Sequence, residues 1–214
     1  MDGFNAVVKF FQDGGPFMYP IMVVFALGAA IAIERYAYLS AAKLKNRSMW
    51  NKIVPLVKAN NYDQAMALSG KSSSEVGKIM AYGLSRLRMT KKRDDIEIAM
   101  EEGLMEVIPR LEKRTHYLAT FANIATLLGL LGTIIGLIQA FNAVANANPA
   151  DKADLLSASI SVAMNTTAFG LMAAIPLLLM FTVLQTKTTE IVDSMEMATV
   201  KFLNSITESR KESA

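Results

Sequence analysis

A chain of 214 residues that is 52% hydrophobic, with 19% charged residues, a net charge of +3 and a mean hydropathy of +0.30, is too apolar to be a disordered chain. It has no cysteine, which excludes disulfides, thiolate nucleophiles and sulfur-ligated metals, and its one histidine, His116, leaves little for imidazole or metal chemistry. The apolar residues collect in three nearly charge-free blocks rather than in periodic stripes, which is the pattern of a membrane protein.

Residues 1–16 read as a short periplasmic or interfacial N-terminal segment. The first block, Phe17–Ile33, holds no charged residue. Its seventeen residues would cover roughly 26 Å as a helix, enough for the hydrocarbon core. No basic stretch precedes it, so it reads as a retained anchor over 17–34 rather than a cleaved leader. Pro20 falls in the first turn, where its missing N–H costs little. Glu34 and Arg35 follow at once and mark the inner membrane boundary as structural, interfacial residues.

Residues 35–115 read as a helical cytoplasmic domain. A short helix pair is expected over 49–70 with its turn at Asn60–Asn61. A further helix carries Val76, Ile79, Met80 and Leu84 at helical spacing. The next begins with acids and ends with cations, which suits a helix dipole. Its apolar face comprises Ile96, Met100, Met105 or Leu104, Ile108 and Leu111, and Pro109 is its one breaker before the second span. His116, at the cytoplasmic boundary, is read as structural.

The second span is placed at 116–145, a periplasmic turn at 146–157 and the third span at 158–185. From Tyr117 to Ala145 and from Ala158 to Leu184 there is no Asp, Glu, Lys, Arg or His. The third span runs on into a cytoplasmic helical tail, 186–214, with Ile191, Met195, Ala198, Phe202 and Ile206 on one stripe. The expected fold is therefore an all-α membrane protein with three transmembrane helices, two of them extended into a cytoplasmic bundle. Orientation follows the positive-inside rule: residues 35–114 hold sixteen Lys plus Arg against nine Asp plus Glu, so this portion and the C-terminus lie inside and the N-terminus outside. The same bias accounts for the sequence pI near 9.0, and no nucleic-acid module is present.

Function is sought where a membrane span breaks its apolar rule. Phe17–Ile33, Tyr117–Ala145 and Ala158–Leu184 carry no Asp, Glu, Lys, Arg or His, so no relay of carboxylates can be complete within this chain. Small and hydroxylated residues remain. Gly132 and Gly136 form a GxxxG, with Gly129 and Thr133 also four apart, a spacing that lets helix backbones approach. Gly170 and Pro176 belong with them on the packing and bending side. Ser161 and Asn165 share a face of the third span, with Thr166 and Thr167 wrapping round it. Antiparallel spans bring Thr133 and Thr167 to similar depths, roughly 18 and 14 Å from the outer ends. These hydroxyls either bond their own helix or glue the spans together, or they serve a polar pathway.

Three motifs resemble the ExbB/TolQ/MotA family of inner-membrane ion-driven motor subunits. They are IERY at Ile33–Tyr36, LLGLLGTIIGL at Leu127–Leu137 and NTTAFGLMAAIP at Asn165–Pro176. The three-span plan is closest to the ExbB/TolQ type. The resemblance implies a homopentamer around a dimer of a single-span ExbD/TolR-type partner, in the inner membrane and in contact with its lipid. Each partner donates one membrane aspartate, which fits the lack of an acid in the present spans. It also implies that Thr133 and Thr167 face the lumen, that the transported ion is H+ or Na+ with no cofactor, and that a TonB-like protein is among the partners. One departure bears on the ion. The glutamate that ExbB and TolQ carry five residues before the third-span threonine is Val162 here, and Thr166 adds a hydroxyl beside Thr167. Sodium wants several oxygen ligands, so the change tips the expectation towards Na+ at Thr133, Thr166 and Thr167 with a partner aspartate. The competing readings are a non-conducting scaffold for an envelope complex and an intramembrane enzyme; the latter needs a Ser–His or His–Asp set that the spans lack.

Overall fold

The computed structural model describes residues 10–11, 14–90 and 92–212, with side chains as far as Glu208. Of the segment expected over 1–16, Asp2, Lys9 and Asp13 lie outside the described residues, as do the side chains of Arg210 and Lys211 in the tail. The helices are α1 (Met18–Lys58), α2 (Tyr62–Gly70), α3 (Glu75–Met89), α4 (Arg93–Glu112), α5 (His116–Ala145) and α6 (Lys152–Glu212). Among the described residues there is no strand, and three helical stretches are long and apolar enough to cross a membrane: Met18–Lys58, Arg93–Ala145 and Lys152–Glu208. The chain is an all-α membrane protein.

The helix boundaries refine the expectations. The first apolar block does not end its helix at 34: α1 runs for 41 residues, and Pro55 sits inside it. The expected helix pair is thus the end of α1 followed by α2. Its turn does fall at Asn60, which takes a left-handed φ of 56°, and Asn61, whose side chain accepts from Gln64 N at 3.4 Å. The helix leading into the second span is interrupted, and not at Pro109. That residue lies inside α4, and its carbonyl still accepts from Lys113 N at 3.1 Å. The break comes at Arg114, a non-glycine residue at φ 67°. The connection after α5 is shorter than expected, because α6 starts at Lys152 and continues through Pro176 for 61 residues.

The chain divides into two compact units, one holding residues up to Glu34 with Arg114–Val183, the other Arg35–Lys113 with the residues from Leu184 onward. In the first unit, Ile21, Ala122, Ala125, Ala173, Ala174 and Leu177 form a buried cluster. Alanine dominates it because small side chains let the three apolar helices approach. In the second unit the predicted stripes are buried: Val76, Ile79, Met80 and Leu84 on α3, and Ile191, Met195, Ala198, Phe202 and Ile206 on α6. On α4 the choice between neighbours falls to Leu104, whereas Met105 is 73% exposed. Ser74 caps α3 by accepting from Gly77 N at 3.1 Å.

Candidate functional site

The hydroxyls of the second and third spans meet in a seam between α5 and α6. Gly129 and Gly170 set its width. A Cβ on Gly170 would stand 2.7 Å from the Ala125 carbonyl oxygen and 3.0 Å from Gly129 Cα, so backbone faces backbone with no room for a side chain. Two turns on, a Cβ on Gly136 would meet Ala163 Cβ at 3.1 Å.

This close approach brings Thr133 and Thr167 together. Their Oγ1 atoms are hydrogen-bonded to each other. Thr133 Oγ1 also lies 3.1 Å from the Gly129 carbonyl oxygen and 3.3 Å from that of Ala163, and Thr167 Oγ1 lies 3.0 Å from the same Gly129 oxygen. Two hydroxyls have two protons: one joins the two oxygens, and the other goes to a carbonyl. Every donor is satisfied, while lone pairs on both oxygens remain free to accept. Both residues are half-buried. The pair therefore offers a neutral, oxygen-rich point on an otherwise apolar helix pair. It can stabilise a cation or a protonated group without burying a fixed charge.

Thr166 goes elsewhere. It is 2% exposed, and its Oγ1 donates towards the Gly14 carbonyl at 2.5 Å, with the Val162 carbonyl 3.0 Å away. Its neighbour across the seam is Gly132, where a Cβ would fall on the Thr166 side chain. The structure thus separates Thr166 from the pair it was expected to join. Asn165 is half-buried and Ser161 exposed, and no hydrogen bond ties either to Thr133 or Thr167 among the described residues. Pro176 is exposed within α6.

The two interfacial charges also part company. Glu34 is exposed, with its carboxylate 3.7 Å from Arg114 Nη1. Arg35 is 3% exposed, belongs to the second unit and donates Nη2 to the Leu111 carbonyl. Leu111 lies in the last turn of α4, where carbonyls lack helical partners, so the guanidinium caps that helix. It also lies 4.6 Å from the Tyr38 ring centroid. Burial, and then the nearby Glu75 carboxylate, push the Tyr38 phenol up. Arg35 is a buried cap rather than a snorkelling cation. His116 opens α5, exposed, with its ring 6.1 Å from that of Phe181.

Sequence reasoning missed Gly14 and the crossing of the bonds, Thr133 to the Ala163 carbonyl and Thr167 to that of Gly129. Backbone acceptors leave no residue-type signal, although the Gly14-Gly15-Pro16 breaker marked a place where the chain must turn.

Comparison with known proteins matches residues 71–197 to the MotA/TolQ/ExbB proton channel family. The chain is similar to the biopolymer transport protein exbB1 of Vibrio cholerae, 47% identical over 167 residues that cover 77% of this chain and 73% of that protein. It is similar to a biopolymer transport protein ExbB homologue of Methanothermobacter thermautotrophicus, 26% identical over 196 residues, 91% of this chain and 68% of that protein. The Tol-Pal system protein TolQ of Haemophilus influenzae is 38% identical over 78 residues, 36% of this chain and 34% of its own.

Proposed function

The chain belongs to the MotA/TolQ/ExbB proton channel family, and from that premise we propose that it is the ion-conducting subunit of an inner-membrane motor. In this reading five copies surround two copies of a single-span ExbD/TolR-type partner, and the second and third spans line the pore. Residues 35–115 and 186–214 face the cytoplasm, and the N-terminus and the α5–α6 connection face the periplasm. The work is done on the envelope, with TonB-type outer-membrane transport as one form of it.

One observation carries the proposal. Two hydroxyls from two helices converge on a shared carbonyl in spans that contain no acid, which leaves a place for a carboxylate brought by another chain. A lone carboxylate beside hydroxyls is less costly to neutralise with a cation than to leave bare in a low-dielectric pore.

The ion follows from the oxygen count. The expectation of sodium rested on Val162 in place of a glutamate and on a third hydroxyl, and Thr166 Oγ1 is instead turned into Gly14. Two hydroxyls and one donated carboxylate suit a proton carried on that carboxylate, and the proton is the ion we assign. The test is driven activity of the complete complex with sodium replaced by potassium at fixed proton motive force. Undiminished activity is expected; loss would restore sodium. Mass measurement of the detergent-solubilised chain is expected to give five copies. Full activity of a Thr133→Ala, Thr167→Ala double variant would turn the reading to a non-conducting scaffold.

A further inference from the structure

We propose that Thr166 is a positioning residue: it latches the Gly14–Phe17 segment onto α6 and so fixes the rotation of that helix at the Thr133–Thr167 pair. One hydrogen bond and two close approaches place the segment. The Thr166 hydroxyl donates to the buried Gly14 carbonyl. Gly15, at φ 75°, turns the chain there, and a Cβ on it would stand 3.1 Å from Val162 Cγ1 of α6. Phe17 reaches the Gly132 notch, where an added Cβ would stand 3.2 Å from its own. Just upstream, the Phe10 and Phe11 rings meet Phe169 edge-on, with centroids 6.5 and 5.7 Å away.

Consecutive residues on a helix point about 100° apart. Thr166 and Thr167 therefore tie one turn of α6 in two directions, to the N-terminal segment and to α5. Rotating α6 enough to carry Thr167 off Gly129 must also break the bond to Gly14, and leaves a buried carbonyl without its donor. The latch stands on this geometry alone; its effect on driven activity rests on the motor reading above.

Hydrogen exchange and activity of the assembled complex separate the two. Thr166→Val keeps the shape and removes the O–H. Losing one net hydrogen bond corresponds to about a fivefold rise in opening, so exchange across Gly14–Met22 is expected to quicken about fivefold. Thr166→Ser keeps the O–H and is expected to return both exchange and driven activity to the native level, and sodium replacement is expected to affect neither variant. Unchanged exchange in Thr166→Val overturns the latch, and a changed ion preference makes Thr166 an ion ligand instead. Raised exchange with full driven activity overturns the positioning role. If Thr166→Val does not assemble, Thr166→Ala reads the same exchange without a new methyl against Gly14. An active Thr133, Thr167 double alanine variant together with raised exchange in Thr166→Val would sink the motor reading and leave the latch.

Discussion

At the Thr133–Thr167 seam every polar group is neutral, and each proton goes to an oxygen of the same two helices. The Arg35 cluster of the second unit does the opposite: it buries a full charge, with the Leu111 carbonyl and the Tyr38 ring among its partners. Neutral hydroxyls cost little to bury because helix carbonyls are always at hand. A buried charge costs several kcal/mol unless its surroundings answer it (about 3–5 kcal/mol when one partner is removed). On the reading proposed above, the seam takes a charge from another chain, whereas the Arg35 cluster holds its own.

The sharpest way to break the comparison is at the seam. Thr167→Ala removes a donor to Gly129 and the partner of Thr133, so driven activity is expected to fall to background while assembly survives. Thr133→Ala is expected to weaken activity severely, since Thr167 keeps its bond to Gly129. Growth or transport assays on the complete complex, read beside its detergent-solubilised mass, check both. Lost assembly would make the pair structural glue.

Next comes the charge. Arg35→Met keeps an unbranched stem but leaves the Leu111 carbonyl without its donor, at a cost of about 2–3 kcal/mol. Thermal unfolding in detergent should register this, whereas ion preference should not move. Neutralising its neighbour, Glu34→Gln, acts on an exposed contact at 3.7 Å and should cost under about 1 kcal/mol. Equal losses at the two positions would erase the distinction between buried cap and surface pair. Between them in size is Gly170→Ala, whose Cβ meets backbone at 2.7 Å and must spread the seam, at about 1–3 kcal/mol.

Much of this was legible in residue types. Charge-free blocks gave the three spans, and the stripe from Ile191 to Ile206 gave a buried face, because burial follows apolar periodicity. The meeting of Thr133 and Thr167 followed from depth. They lie 12 residues before Ala145 and 15 after Lys152, close enough for antiparallel helices to align them. Neighbouring hydroxyls were harder. Thr166 and Thr167 read alike in sequence, yet only an azimuth about one helix separates a seam-facing group from a latched one. The destination of Thr166 is a backbone carbonyl, which no side chain announces. Arg35 misled for a related reason: a cation just past a span normally snorkels, and the vacancy it fills exists only because α4 ends at Glu112.

The smallest effect lies on the second unit's surface, where a pair of charges is bound but not buried. Lys43 Nζ donates to Glu190 Oε2 at 2.7 Å, and both side chains are more than half exposed. That hydrogen bond first, and the lysine's charge second, hold the Glu190 carboxyl below its ordinary value. A depressed carboxylate stabilises the fold above its unfolded pKa, and that contribution fades as pH falls through the folded one. Neutral solution therefore keeps the whole of it, and only acidification below the usual carboxylate range removes it. Lys43→Gln takes away the charge but not the capacity to donate, so the Glu190 titration midpoint should climb less than in Lys43→Met, which removes both causes that Lys43 supplies and leaves that of Lys187. Side-chain carbon shifts of Glu190 followed by NMR across the acid range would read both, and added salt should narrow the gap between native and Lys43→Met protein. A midpoint that ignores Lys43 would show that this exposed pair is held by something other than its own charges, and would remove the surface pair as the counterpart of the buried one.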